Sequence, residues 1–115
     1  MDNNNNKQNK QIVNKIQSEI DIIKAITDGI DINTFLADEK IKRAVCMTLI
    51  NIGELVKGLS VELRESNPKI PWKDIAGFRD VAAHGYFTLR MPDVWTFVET
   101  EFPMYTIHIK DMLNK

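Results

Sequence analysis

Apolar residues recur at intervals of three and four along most of the chain, the spacing of helices that bury one face. Ile12, Ile16, Ile20, Ile23 and Ile26 mark the first stripe, which ends near Asp28-Gly29 and predicts a helix over residues 8–28. Asn33-Thr34 then offers a turn or cap. Val45, Leu49, Ile52, Val56, Leu59 and Leu63 continue the period along a long second helix. That helix must stop before Pro68, because a proline pushes the residue before it out of helical backbone. Ala44, Cys46, Met47 and Ile50 leave little for water on its other faces. The second helix is therefore expected to be central in its bundle and to pack against a second subunit; a buried central helix alone is the simpler reading.

Pro71-Trp72 opens a shorter third helix whose stripe is Trp72, Ile75, Phe78 and Ala82. Met91-Pro92-Asp93 starts the last one, with Trp95, Val98, Phe102, Tyr105, Ile109 and Met112 at core spacing and Pro103 expected to kink it. No alternation of period two persists for a strand length, and there is no glycine-rich phosphate loop or internal repeat. The expected fold is an all-α antiparallel bundle of four or five helices.

Length and charge narrow the class. A chain of 115 residues can bury one core but rarely two, so one domain is expected over residues 9–115, after a disordered polar start over residues 1–8. A formal net charge of −1 argues against coating nucleic acid by charge alone. Charge is uneven, however. Lys69, Lys73, Arg79 and Arg90 outnumber Asp74 and Asp80 over residues 68–90, whereas residues 91–115 carry an acidic excess, a contrast that ordinary surface variation could also give. The lone Cys46 sits in an apolar run and reads as a small buried hydrophobe in a reducing compartment. No run approaches the roughly 18 apolar residues of a membrane span, and no signal peptide is evident, so a cytoplasmic protein is expected.

The candidate chemistry lies in Arg79-Asp80-Val81-Ala82-Ala83-His84-Gly85-Tyr86. Arginine keeps its charge and offers a planar fork of donors to phosphate oxygens, while histidine is suited to proton transfer near neutrality. Arg79 and His84 are five apart, about 140° around a continuous helix. A helix break near His84, with Gly85 giving the freedom of a C-cap, is expected to let the two meet. Asp80 lies four before His84, so its carboxylate can orient the imidazole, and both it and the helix dipole favour the protonated ring. An Arg, an Asp and a His at a helix end also describe a solvated cap with an ion pair.

Reading outward, Pro68-Lys69-Ile70-Pro71-Trp72-Lys73-Asp74-Ile75-Ala76-Gly77-Phe78 leads into the motif, Phe87 follows it, and Ile50-Asn51-Ile52-Gly53-Glu54 lies upstream. Together with Val94-Trp95 and Phe102-Pro103, these segments make residues 10–113 resemble the HepT-like proteins of the HEPN superfamily. Their mark is Arg, four residues, His, one residue, Tyr.

The resemblance implies a toxin ribonuclease that acts on RNA as a homodimer, with Arg79 and His84 as its catalytic pair. It also implies a partner nucleotidyltransferase of the MntA type, which attaches AMP to the motif tyrosine, here Tyr86, and silences the toxin. The alternative for Tyr86 is a side chain anchored by packing with Phe87. In the implied reaction an RNA 2′-hydroxyl attacks the adjacent phosphate, with His84 moving the proton, Arg79 stabilising phosphate charge and Asp80 orienting His84. No cofactor or metal is expected, because the motif lacks the oxygen ligands of a two-metal site and His108 has no partner at ligand spacing. Glu54, in the Gly-Glu pair common in that family, either supports the site or dimer or is an ordinary helix glutamate at a bundle edge. The competing function is a non-catalytic HEPN module that binds a nucleotide or a partner's surface.

Overall fold

The computed structural model describes residues 3–113 as helices and connecting turns, with no strand among them. Four long helical runs carry the bundle: α1 (Asn3–Thr27), α3 (Glu39–Lys57), α5 (Trp72–His84) and a final run from α6 (Met91–Thr96) through a π-helical turn (Phe97–Glu101) into α7 (Phe102–Leu113). Two short helices, α2 (Ile32–Ala37) and α4 (Val61–Ser66), join them, and a 3-10 turn (Tyr86–Thr88) follows α5. This is the all-α bundle that the apolar period predicts.

Helix α3 is central, packing against α1 on one side and α5 on another. Val45, Leu49, Ile52 and Val56 are all buried, and they meet Ile16, Ile20 and Ile23 of α1 and Trp95, Val98, Phe102 and Ile109 of the last run in one core. Phe35 of α2 is fully buried, its ring 5.1 Å from that of Trp95. Cys46 is buried as expected, and burial pushes its thiol up to about 11. None of the described helices is long and apolar enough to cross a membrane.

Three boundaries differ from the sequence reading. Helix α1 starts at Asn3 rather than near residue 8; Met1 and Asp2 lie outside the described residues. Buried Asn9 gives a hydrogen bond to Ser60 Oγ at 2.9 Å and accepts one from Ser60 N at 3.1 Å, which anchors the first turns and lets the helix propagate outward. Asn33-Thr34 is not a turn but part of α2, capped by Asp31, whose carboxylate accepts from Thr34 N at 2.8 Å.

The long second helix divides at residues 58–60: α3 ends at Lys57, and Ser60 caps α4 by accepting from Leu63 N. At the far end, Pro103 is preceded by the π-helical turn. A proline ring would clash with the carbonyl four residues back, and the wider turn accommodates it.

Candidate active site

Helix α5 is seated at its start and at its middle. At its start, buried Trp72 donates its indole N–H to the carbonyls of Arg64 and Asn67, each at 3.1 Å. Midway it crosses α3 at Gly53, where an added Cβ would lie 2.5 Å from Arg79 Cβ and 3.0 Å from the Ile75 carbonyl oxygen. Only a residue without a side chain permits that approach, so Gly53 brings Arg79 onto α3.

There Arg79 meets Glu54, its Nε against the carboxylate, while its Nη1 lies 3.3 Å from Asp80 Oδ1. Asp80 also receives Lys57 Nζ at 2.5 Å. Two cations and two carboxylates thus form a neutral ladder between α3 and α5. The bond from Lys57 first, and then the nearby guanidinium, hold the Asp80 carboxyl below its usual range. Arg79 is half-buried, so its guanidinium is oriented yet still reachable by an anion able to compete with the two carboxylates.

The structure corrects three parts of the sequence reading. Asp80 does not orient His84; its carboxylate is held by Lys57 and Arg79, and no hydrogen bond joins it to His84. Helix α5 ends at His84 with Gly85 as its cap, as expected, but that end does not bring the pair together: five residues apart on one helix, Arg79 and His84 project about 140° apart around its axis. Gly85 caps the helix with φ 179°, an extended backbone open to any residue, and its N–H bonds to the Val81 carbonyl. His84 itself is exposed at the carbonyl end of α5.

Tyr86 turns back onto the first turn of α3, the 3-10 turn being held by Thr88 N and Oγ1, which both donate to the Gly85 carbonyl. The half-buried phenol donates to Glu39 Oε2 at 2.7 Å. Glu39 is also paired with Lys42 at 3.2 Å and with Arg43 Nε at 2.8 Å. The Arg43 guanidinium lies over the Tyr86 ring, 4.6 Å from its centre. Burial and the adjacent carboxylate push the Tyr86 hydroxyl up to about 12, and the phenol's bond in turn holds Glu39 low. Phe87 packs edge-on against Tyr86 at 5.4 Å but is itself 87% exposed, so Glu39 and Arg43 do most of the anchoring.

Sequence reasoning missed Lys57, Glu39 and Arg43. Glu39 and Arg43 look like any helix-surface pair four apart, and Lys57 has no local signal at all. Glu54 was singled out, and the structure ties it to Arg79. His108 lies apart, beside a cavity of about 270 Å³ that Lys69, Ile70 and Asp111 also line. Among the described residues, no three His, Cys, Asp or Glu side chains are grouped to hold a metal ion.

The profile described as "Ribonuclease HepT-like" matches residues 16–112, and the chain belongs to that family. A protein of Caldanaerobacter subterraneus subsp. tengcongensis named "Putative RNase" is 36% identical over 100 residues, covering 87% of this chain and 89% of its own. One of the same description from Methanocaldococcus jannaschii is 37% identical over 94 residues, covering 82% and 81%. A "Probable ribonuclease HepT" of Thermococcus cleftensis is 32% identical over 94 residues, covering 82% and 86%. No solved structure matches the chain.

Proposed function

We propose that the chain is an endoribonuclease that cleaves RNA without a metal ion, using Arg79 and His84 from two copies of α5 in a homodimer. The observation that carries this reading is α5 itself, which holds a pre-oriented Arg79 and an exposed His84 on diverging faces in a chain of the HepT-like family. Because one helix separates the two groups, a symmetric pair of subunits is the economical way to bring an arginine and a histidine to one phosphate.

In that cleft His84 takes the proton of the RNA 2′-hydroxyl as its oxygen bonds to phosphorus. The bond from phosphorus to the 5′-oxygen breaks, and the departing oxygen is protonated by the imidazolium so formed or by solvent. Arg79 stabilises the charge on the phosphate oxygens in the transition state. The products are a 2′,3′-cyclic phosphate end and a free 5′-hydroxyl, and DNA is not cut. Glu54, Asp80 and Lys57 position Arg79.

The biological role that fits is the toxin of a toxin–antitoxin pair, acting in the cytoplasm. An MntA-type nucleotidyltransferase silences it by attaching AMP to Tyr86, whose added negative charge repels RNA. The test is growth arrest on induced expression of the wild type beside Arg79→Ala and His84→Ala, with folding matched by circular dichroism. Arrest by the wild type alone, with cyclic-phosphate ends in its RNA, is expected. Arrest undiminished in both variants, or absent throughout with soluble protein, overturns the reading in favour of a non-catalytic binding module.

A further inference from the structure

We propose that Glu39 and Arg43 prepare Tyr86 for nucleotide transfer, Glu39 by taking the phenolic proton and Arg43 by meeting the incoming phosphate. The proposal rests on the reading of Tyr86 as the modified residue and assigns that step two groups of this chain. A phenol is a weak nucleophile while its proton stays in place, and a carboxylate at hydrogen-bond distance can remove the proton as the new bond forms. Glu39 stands at that distance, 2.7 Å from the hydroxyl oxygen. Its other partners, Lys42 and Arg43, fix both carboxylate oxygens without supplying a group that could replace it as acceptor. Glu39 is also exposed, so the proton can pass on to water.

Arg43 completes the arrangement. It commits its Nε to Glu39, and its guanidinium lies over the Tyr86 ring and within 5.8 Å of the centre of Phe87. Arginine has four further N–H donors, a fork matched to phosphate oxygens. The side chain is 56% exposed, so those donors are open to an arriving nucleotide.

In the step itself, the Tyr86 oxygen bonds to the α-phosphorus of a nucleoside triphosphate, and the bridging bond to the β-phosphate breaks. Pyrophosphate leaves with the electron pair, and the phenolic proton goes to Glu39. The modified oxygen then has no proton to donate. Its phosphodiester charge opposes Glu39 and attracts Arg43, so Arg43 can exchange one anion for the other.

A purely anchoring Glu39 would be replaced well by glutamine, which accepts the same hydrogen bond but cannot carry the proton. The experiment therefore measures nucleotide transfer to the full chain by intact mass, with ATP and an MntA-type nucleotidyltransferase. Glu39→Gln is expected to lower kcat about 100-fold with little change in KM for the chain, its residual rate rising with pH as free phenolate accumulates. Glu39→Asp restores part of the rate, and Arg43→Gln raises KM for ATP several-fold. Wild-type kcat and pH profile in Glu39→Gln overturn the proposal. Failure of the wild type to be modified, with an enzyme proven active on another HepT-like chain, overturns the underlying reading of Tyr86 instead.

Discussion

Tyr86 gives up its proton only near pH 12 because burial and the Glu39 carboxylate both oppose the phenolate. An unfolded tyrosine titrates near 10. The stability contributed by this group is therefore complete below pH 10 and is lost as pH rises through about 12. Ultraviolet titration should show a late phenolate transition that Tyr86→Phe removes and Glu39→Gln moves downward; a Tyr86 transition at 10 in the wild type would contradict the contact. Asp80 has the opposite sign. Lys57 and Arg79 lower its pKa from the ordinary 3.8, so its contribution is present above that value and is lost as pH falls through the lowered one. Urea unfolding followed from pH 6 to pH 2 should lose less stability in Asp80→Asn than in the wild type. At this scale the stretch from Arg79 to Tyr86 stood out as a pattern, because few stretches place an arginine, a histidine and a tyrosine within eight residues. The Asp80 contact was not, because a partner 23 residues away in sequence outcompetes one four residues away. Spacing shows which side chains can reach each other, and burial and charge in the folded chain decide which do.

Gly53 lies where α3 and α5 approach closely, with no room for a Cβ. Gly53→Ala should destabilise the fold by about 1–3 kcal/mol, since the added carbon meets Arg79 Cβ and a carbonyl rather than the end of a flexible chain. The same variant should reduce RNA cleavage by displacing Arg79, and unchanged melting would show that the helices can separate freely there. Phe35→Ala, at a fully buried site against Trp95, should cost about 3–5 kcal/mol by chemical unfolding. The stripes on α1, α3, α5 and the last run were readable because apolar period reports burial directly. The break at residues 58–60 was not, because Leu59 is buried within the turn and keeps the period while the backbone leaves the helix. Helix α2 escaped for a different reason: six residues with one buried side chain hold too little period to detect.

Across the whole molecule, the exposed stripe of α3 connects the two clusters. Arg43, Met47, Asn51 and Glu54 follow one another at helical spacing, so Met47 sits between the Tyr86 contact and the Arg79 ladder. Met47 is 57% exposed, and Ile22 on neighbouring α1 is 44% exposed. A second subunit covering Met47 would border both clusters at once, which suits the proposed homodimer. Met47→Glu should give a monomer by light scattering, with helicity retained and cleavage lost; a wild type that is monomeric while cutting RNA would overturn the shared cleft. Cleavage should also persist in EDTA. The bundle was legible because every long helix writes its buried face into the sequence, whereas an exposed methionine such as Met47 carries the same apolar signal as a core one.

Cys46 adds a practical consequence. It is the sole thiol of the chain, buried in α3 with its sulfur 4.0 Å from that of Met91 at the start of α6. A disulfide reagent can reach it only when the bundle parts. Its labelling rate is thus a built-in clock for opening, and RNA or a nucleotide on Tyr86 that stiffens the bundle will slow that clock without any dye or engineered probe.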